Sequence, residues 1–446
     1  MGQKFARAED VDHTHPVRRL RSLFRVLLIM CSALPLAHGD IRHRHDHPLV
    51  VAYFGQWGLY NDPPYYLRDL DRAGAAGLLD QINYAHASVK GGRCSVGDAR
   101  ADLDTIYTSR NSVDGSSDDP ASRFRGYFHQ LKELKRRYPK LKILISLEGA
   151  PADFRQDASP EHRRAFVASC VDIFLRGHFG PGILEPGIFD GIDVNWEFPQ
   201  QEDAVNFRRL LEEFRRQMKP LRRGLKLTIA VGDQLRMQPG TDFRRIARLV
   251  DEVGIMNYDY AGPWNSTTGL LAPLFRRADT PRHFGSIAES ITAYENAGVP
   301  GRKLLMGIPF YGYQWSDVSP VNDGLFQRGK GISEDKPYRF IDGLHASDAV
   351  FRDPESQAPW LFDGSTFWTF EDPVSVAYKS GYAVRRHLGG IMIWELGEDT
   401  AEATLLTAAW RSLRQAPLAM WAQQDASDIP GNTGEVESGA GTEVRF

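Results

Sequence analysis

Residues 189–199 read FDGIDVNWEFP, a stretch in which polar and apolar residues alternate. A period of two predicts a β-strand whose side chains point in turn to its two faces. The apolar set is Ile192, Val194 and Trp196, and the polar set is Asp193, Asn195 and Glu197. On a barrel strand the apolar set would face the surrounding helices and the polar set the interior, with Glu197 nearest the C-terminal mouth, where barrel enzymes keep their catalytic groups.

Ionisable side chains inside a barrel need an explanation, because burying a charge is costly. One explanation is an internal ladder of ion pairs with lysine or arginine side chains from other strands. The other predicted strands offer no inward basic residue, so this is the weaker explanation. We therefore interpret Asp193, Asn195 and Glu197 as a catalytic set.

The rest of the chain supports a barrel, because short β-branched runs alternate with amphipathic helices. Strands are predicted at 49–56, 81–87, 142–147, 189–195, 226–231, 252–258, 304–309 and 390–394. Crossover helices are predicted at 124–137, 161–175, 202–218 and 284–297. Eight strands of this kind predict an α/β fold of the (β/α)8 TIM barrel class.

The interval 313–387, between the seventh and eighth predicted strands, is too long for one loop and one helix. We predict that it holds a small α+β insertion between strands 7 and 8, which would form one wall of a cleft. The polar loop at 91–121 and the tail at 424–446, whose composition is that of a disordered segment, are not expected to carry catalysis.

Composition excludes some classes of partner. A formal net charge of -3 over 446 residues gives no strong field of one sign, so neither nucleic acid nor an anionic membrane is expected to bind. Aromatic residues make up 11% of the chain, enough to line a groove for a neutral sugar polymer. The histidines concentrate at 13–47 in what we interpret as a solvated segment, so no metal site is predicted.

Residues 1–39 are interpreted as a signal peptide. Four arginines precede an apolar run at 26–37, namely Arg18, Arg19, Arg21 and Arg25. The run is 12 residues long, whereas a membrane-spanning helix needs about 20. We expect cleavage near Gly39 and a secreted protein, extracellular or periplasmic, with no membrane association in its mature form. A retained anchor and a misassigned start are the alternatives. Cys94 and Cys170 would remain as a candidate disulfide.

Several motifs resemble glycoside hydrolase family 18, the chitinases and their relatives. The family signature DxxDxDxE is matched by Asp190, Asp193 and Glu197. Other segments resemble family patterns in the family's order: YFGQW at 53–57, INYAHA at 82–87, MNYD at 256–259, GIPFYG at 307–312 and GGIMIWEL at 389–396. The resemblance covers residues 48–414, which we take as the catalytic barrel.

The resemblance implies hydrolysis of β-1,4-linked N-acetylglucosamine polymers, chitin or chito-oligosaccharides, by a substrate-assisted retaining mechanism. Glu197 would protonate the leaving oxygen and later activate water, and Tyr258 would hold the substrate acetamide. The sugar would bind to side chains from several strands, with Trp394 as its floor and Tyr53, Met256, Asp259 and Tyr311 lining the pocket. The resemblance implies no cofactor, and a monomer is expected.

Two positions depart from the family pattern. Asn195 stands where the family usually has Asp, and losing one preorganised electrostatic contact slows catalysis by about 10²- to 10³-fold. We therefore predict a slow enzyme with a more acidic optimum. On the third strand the family commonly shows SxGG, and this chain has Ser146 followed by Glu148 in place of a glycine. Glu148 would crowd the sugar pocket, return the negative charge missing at Asn195, or turn toward solvent or an arginine.

The neutral Asn195 leaves other functions open for this protein. A chitin-binding lectin would keep the groove without turnover, but family members that serve only as lectins often lose the acid that Glu197 retains here. An endo-N-acetylglucosaminidase acting on N-glycans, or a peptidoglycan hydrolase, could use the same chemistry. The long insertion and the segment 367–379 resemble deep-groove chitinases, which favours chitin chains as the substrate.

Overall fold

The computed structural model describes residues 47–344 and 350–415. The predicted signal peptide at 1–39, the tail at 424–446 and nearly all of the histidine-rich segment at 13–47 lie outside these ranges.

Within the described ranges, eight parallel strands form a closed barrel. They are β1 Leu49–Gly55, β2 Gln81–Lys90, β3 Lys142–Glu148, β4 Gly191–Val194, β5 Lys226–Val231, β6 Glu252–Ile255, β7 Leu304–Pro309 and β8 Gly390–Trp394. The barrel closes because β1 pairs with β2 on one side and with β8 on the other. The predicted (β/α)8 TIM barrel is confirmed, and every strand lies where the sequence predicted one.

The described residues form ten α-helices, two of which lie between β7 and β8 in the chain, and most of the ten pack on the outside of the barrel. They are α1 Leu67–Arg72, α2 Gly126–Arg137, α3 Pro151–Asp157, α4 Arg163–Cys170, α5 Ala204–Met218, α6 Phe243–Leu249, α7 Ile287–Asn296, α8 Tyr338–Asp342, α9 Pro373–Arg385 and α10 Thr404–Gln415. The four predicted crossovers correspond to α2, α4, α5 and α7, and α4 continues into a π-helical turn at Val171–Leu175. Asp372 caps α9 by accepting hydrogen bonds from the backbone N–H groups of Val374 and Ser375.

The apolar set of the 189–199 stretch packs outward against the helices, as predicted. Trp196 is buried, and its ring stacks on Phe154 of α3 at 5.4 Å between centroids, with Phe207 of α5 at 5.7 Å. Ile192 and Val194 belong to the same core. Burying each of these side chains stabilises the fold by about 2 kcal/mol, which fixes the face that the polar set must occupy.

The lower end of the barrel interior contains an ion pair that the sequence did not predict. The Lys226 ammonium lies 2.8 Å from a carboxylate oxygen of Glu252 and donates to Gln81 Oε1 at 2.9 Å. Lys226 begins β5 and shares its face with Thr228, whose hydroxyl reaches Asp193 inside the barrel. The expectation that no other strand offers an inward basic residue was therefore wrong. Although Lys226 is the first residue of β5, its side chain already points to the same face as that of Thr228.

A small antiparallel sheet with a short helix, α8, lies between β7 and β8, and this confirms the predicted insertion. Its strands are Tyr311–Ser316, Lys330–Gly331, Lys336–Pro337, Val350–Arg352, Pro359–Phe362 and Phe367–Thr369. Trp315, Trp360 and Phe367 form its own apolar core. Arg339 of α8 donates to the carbonyl oxygen of Gly397, which lies just after β8, so the insertion is held against the mouth of the barrel.

Cys94 and Cys170 form a disulfide that joins the short strand Arg93–Ser95 to the end of α4. The two residues are 76 positions apart in sequence. A crosslink over a loop of this length stabilises the fold by about 4 kcal/mol, mainly by restricting the unfolded chain.

None of the helices formed by the described residues is both long enough and apolar enough to cross a bilayer.

Candidate active site

A cavity of about 210 Å³ opens at the C-terminal mouth of the barrel. The predicted site residues that line it are Tyr53, Asn195, Glu197, Met256, Tyr258, Asp259, Tyr311 and Trp394. Its other lining residues, Ala230, Tyr313, Asp335 and Met392, were not predicted. Tyr313 and Asp335 come from the insertion, which thus forms one wall of the cavity.

Asp193 lies at the base of the site and is held by three hydroxyl groups. Tyr53 and Ser146 each donate to Asp193 Oδ2 at 2.8 Å, and Thr228 donates to Oδ1 at 2.5 Å. Ser146, Asp193 and Thr228 are register partners on adjacent strands, so the alternation places them at one level of the barrel. Burial raises the pKa of Asp193, and the three hydrogen bonds oppose that rise.

Asn195 and Glu197 are directly hydrogen-bonded. The Asn195 amide Nδ2 donates to Glu197 Oε1 at 3.0 Å. The other end of the amide, Oδ1, is buried and has no hydrogen-bond partner among the described residues. An unsatisfied buried carbonyl costs free energy, so this oxygen is suited to accept a hydrogen bond from a ligand in the cavity.

The side chain of Glu197 is exposed at the cavity, and its surroundings favour the protonated form more than water does. Partial desolvation raises the pKa of its carboxyl group, and the hydrogen bond from Asn195 lowers it in part. The negative charge of Glu148 raises the pKa further, while His86 lowers it. A carboxylic acid in such surroundings can donate a proton to a substrate oxygen.

Glu148 does not line the cavity. Its carboxylate lies 2.9 Å from His86 Nδ1, and its side chain is 56% exposed. The hydrogen bond from His86 lowers the pKa of Glu148, which favours the charged form. Of the outcomes expected for Glu148, crowding of the pocket is not observed, and the partner is a histidine rather than an arginine. His86 was missed because its motif, at 82–87, was read only as strand pattern.

Tyr258, Asp259 and Tyr311 form another part of the cavity wall. The Tyr311 hydroxyl donates to Asp259 Oδ1 at 2.6 Å. Burial raises the pKa of Asp259 to about 6 despite hydrogen bonds from Tyr311 and Tyr313. Burial, with the charges of Asp259 and Glu197, raises the pKa of the Tyr258 hydroxyl, so this group stays a hydrogen-bond donor at neutral pH.

Trp394 forms an aromatic surface at the end of β8. Its ring lies 5.1 Å from Tyr53, 5.9 Å from Trp57 and 6.0 Å from His86, measured between centroids. Trp394 is partly buried, so one part of the indole packs on the barrel while another faces the cavity. Such a surface suits the apolar face of a sugar ring.

Asp190, the first acidic residue of the signature, lies at the other end of the barrel. One of its carboxylate oxygens lies 2.7 Å from the Lys135 ammonium, and the other lies 3.2 Å from an Arg222 nitrogen. The backbone N–H of Ile143 donates to Asp190 at 3.0 Å. These contacts join α2, β3 and the start of β4, so Asp190 supports the fold and is remote from the cavity.

Within residues 47–344 and 350–415, no group of three or more His, Cys, Asp or Glu side chains is placed to hold a metal ion.

A closed (β/α)8 barrel with a carboxylic acid, a buried amide and aromatic rings at its C-terminal mouth is typical of a carbohydrate-active barrel protein. Residues 49–399 match the family described as Glycosyl hydrolases family 18, and the chain belongs to this family.

Known proteins similar to this chain include several chitinases. Chitinase C of Streptomyces lividans is 30% identical over 390 residues, which cover 82% of this chain and 59% of that protein. The chain therefore spans 59% of the length of this curated relative, and the same share of Chitinase 63 of Streptomyces plicatus.

Solved structures of the same family share the fold. The catalytic domain of psychrophilic chitinase B from Arthrobacter TAD20 has a TM-score of 0.76 and 28% identity, covering 83% of this chain and 96% of that chain. A family 18 N-acetylglucosaminidase from Paenibacillus barengoltzii has a TM-score of 0.66 and 28% identity, covering 82% of this chain and all of that chain.

Proposed function

We propose that this protein hydrolyses β-1,4-linked N-acetylglucosamine polymers, chitin or chito-oligosaccharides, with Glu197 as general acid and base. The observation that supports this most is the hydrogen-bonded pair of Asn195 and Glu197, with the buried Asn195 Oδ1 unpaired within the described part of the chain. An acetamide N–H is the donor that a substrate N-acetyl group would bring to this oxygen. The names of the similar chitinases support the same substrate class.

The proposed reaction uses the acetamide of the substrate as nucleophile. Glu197 gives its proton to the glycosidic oxygen as the bond from that oxygen to the anomeric carbon breaks. The acetamide oxygen forms a bond to the same carbon, which gives an oxazolinium ion and a Glu197 carboxylate. Water then gives a proton to Glu197 and attacks the anomeric carbon as the bond from the acetamide oxygen to that carbon breaks. This step restores both the acid and the acetamide, and it retains the configuration.

The neighbouring groups have distinct roles in this proposal. Asn195 Oδ1 accepts the acetamide N–H, while its Nδ2 keeps Glu197 in place. Tyr258 donates to the acetamide oxygen, Trp394 supports the sugar ring, and Asp193 fixes the base of the strand through its three hydroxyl partners. Because Asn195 is neutral, the positive charge of the oxazolinium ion is stabilised less than it would be by a carboxylate, and turnover is slow.

Charge in the cavity favours chitin over a polymer that carries carboxyl groups. Glu197, Asp259 and Asp335 line it, and no lysine, arginine or histidine does so among the described residues. The lactyl carboxylate of a muramic acid unit would meet like charge, which disfavours peptidoglycan as the substrate.

A chitin-binding lectin remains the second candidate, because the neutral Asn195 is the change expected to weaken turnover. The test is product formation from N-acetylglucosamine hexasaccharide between about pH 4 and pH 8, with the anomeric form of new ends followed by proton NMR. We expect slow hydrolysis with β-anomeric products. Binding of the hexasaccharide without any cleavage establishes the lectin instead, and α-anomeric products contradict the substrate-assisted mechanism.

Export is part of the same proposal. The apolar run at 26–37 supports a signal peptide, and the disulfide between Cys94 and Cys170 supports an oxidising compartment. We expect the N-terminal sequence of secreted material to begin near residue 40. Material that retains residues 1–39 contradicts this assignment.

A further inference from the structure

A buried histidine beside the aromatic surface of the cavity has no role in the proposed reaction. His86 lies in β2, is 6% exposed and does not line the cavity. Its ring lies 5.7 Å from Trp57 and 6.0 Å from Trp394, measured between centroids, and both indoles are partly exposed. His86 is therefore a buried ring on which two partly exposed indoles pack.

The plane of the Trp394 indole follows His86 more closely than it follows its other aromatic neighbours. The imidazole and indole planes are 23° apart, whereas Trp57 and Tyr53 are tilted from Trp394 by 35° and 51°. A near-parallel pair at this separation is an offset stack, in which the plane of one ring limits the plane of the other. A rotation of the imidazole would therefore change the contact that supports the indole.

One hydrogen bond selects the orientation of the imidazole. His86 Nδ1 lies 2.9 Å from a carboxylate oxygen of Glu148, which is the last residue of β3. Nε2 is buried and has no hydrogen-bond partner in the part of the chain that the structure describes. A half-turn of the ring would bring the carbon Cδ2 to the carboxylate in place of Nδ1, and the hydrogen bond would be lost.

We propose that Glu148 and His86 are positioning residues of this site: Glu148 fixes the plane of the imidazole, and the imidazole fixes the plane of the Trp394 indole that supports the sugar. This inference rests on the hydrolysis proposed above. Neither Glu148 nor His86 lines the cavity, so both act through Trp394.

The proposed reaction explains why the plane of this indole matters. The acetamide oxygen must approach the anomeric carbon while Glu197 reaches the leaving oxygen. A sugar that stacks on a tilted indole still binds, but its anomeric carbon is displaced from both groups. A misplacement of about 1 Å can lower the rate by about 10²-fold. The loss is therefore expected in kcat more than in KM.

The test compares Glu148→Ala with Glu148→Gln on N-acetylglucosamine hexasaccharide, each at its own optimal pH. Alanine removes the hydrogen-bond acceptor and the charge, whereas glutamine removes the charge and keeps a side-chain oxygen that accepts from His86 Nδ1. In Glu148→Ala we expect kcat to fall by about tenfold and KM to change by less than about twofold. In Glu148→Gln we expect kcat within about twofold of the wild type. Equal kcat values in the two variants overturn the proposal.

A second measurement reports on the indole directly. The indole N–H resonance of Trp394 is identified in a nitrogen–proton correlation spectrum by its absence from Trp394→Phe. We expect this resonance to move in Glu148→Ala and to stay near its wild-type position in Glu148→Gln. An unmoved resonance in Glu148→Ala overturns the proposal.

Asp172→Ala is the matched control. Asp172 lies 2.8 Å from His178 Nδ1 and is 47% exposed, against 56% for Glu148, and neither Asp172 nor His178 lines the cavity. The kcat and the Trp394 resonance of this variant should stay at their wild-type values. A loss of kcat equal to that in Glu148→Ala contradicts a specific role for Glu148.

The two proposals fail in different ways. Absence of hydrolysis by the wild type contradicts the proposed enzyme, and the Trp394 resonance is then the measurement that decides. A resonance that moves in Glu148→Ala alone still supports the positioning of the indole, and one that moves in none of the three variants refutes it.

Discussion

Asp190 and Glu197 belong to one short stretch of sequence and are found at opposite ends of the barrel with opposite surroundings. Asp190 contacts the cations of Lys135 and Arg222 at 2.7 Å and 3.2 Å. Glu197 contacts a neutral amide at 3.0 Å, and within the described residues it forms no ion pair. The charge of the Asp190 carboxylate is balanced by two cations, whereas the Glu197 carboxyl group has no cationic partner and its pKa is raised.

Asp190, which is buried, and Glu197, which is exposed at the cavity, illustrate two different uses of an acidic side chain. An acid with cationic partners stabilises the fold and is not available for proton transfer. An acid without such partners costs folding free energy when it ionises, and the same property makes it a proton donor. The following substitutions test this separation, from the largest expected effect to the smallest.

Glu197→Gln should abolish most of the activity and leave the fold intact. We expect kcat to fall by about 10³-fold, because no proton reaches the leaving oxygen. Since the folded-state pKa of Glu197 is raised, its ionised form costs stability above the unfolded pKa, and Gln removes that cost. The free energy of unfolding at pH 7 should therefore stay the same or increase, as measured by urea denaturation. A variant that is less stable than the wild type, or that keeps the wild-type rate, contradicts the view that Glu197 serves proton transfer and not the stability of the fold.

Asn195→Asp should add a negative charge beside Glu197 at the C-terminal mouth of the barrel. We expect kcat on the hexasaccharide to rise by about 10²-fold, because the oxazolinium ion gains an anionic neighbour. The new charge also raises the pKa of Glu197, so the rate is retained to higher pH than in the wild type. Asn195→Ala, which has neither charge nor amide, is the control and should be slower than the wild type. An unchanged rate and pH profile in Asn195→Asp would rule out the proposal that the neutral Asn195 slows turnover.

Asp190→Asn should weaken the fold and spare catalysis. The change leaves Lys135 and Arg222 without their buried counter-charge, and we expect the free energy of unfolding to fall by about 3 kcal/mol. The kcat of the folded protein should be unaffected, because Asp190 is remote from the cavity. Asp172→Asn is the matched control: Asp172 is 47% exposed and pairs with His178, so its loss costs less than about 1 kcal/mol. Equal losses in the two variants contradict a structural role for Asp190.

Glu148→Gln should produce the smallest effect, a shift in the pH profile. The negative charge of Glu148 raises the pKa of Glu197, so its removal lowers that pKa and the rate is lost at lower pH. Because Glu148 is more than half exposed, we expect the basic limb of kcat/KM to move by only a few tenths of a pH unit. Glu202→Gln, whose side chain is 68% exposed and which is not among the charges acting on Glu197, should leave the limb in place. A shift in the opposite direction contradicts this account of the charges that act on Glu197.

Much of the barrel could be predicted because its strands are encoded locally. The alternation at 189–199 correctly placed Trp196 outside and Asp193 inside, since a period of two leaves one choice once the apolar face is buried. The motifs at strand ends likewise brought Tyr53, Tyr258 and Trp394 to one cavity, because the C-terminal ends of parallel strands meet at one mouth.

The remaining site residues depend on contacts that the sequence does not encode locally. Tyr313 and Asp335 belong to the insertion, whose short strands show no clear period, so their approach to the cavity depends on how that sheet packs on the barrel. The pairing of Glu148 with His86 joins two strands through side-chain rotamers at their ends. Lys226 was overlooked because it lies at the edge of its strand.

The pairing of β1 with β8 has a consequence for synthesis of the chain. Leu49 of β1 is the partner of Gly390 of β8. About 340 further residues must therefore leave the ribosome after β1 before these two strands can pair and close the barrel. Until then the free edges of β1 and β7 present unpaired backbone groups that invite association with other chains. A truncated product that ends before β8 should therefore aggregate during translation. In the full-length chain, β8 pairs with both β1 and β7, and neither strand keeps a free edge.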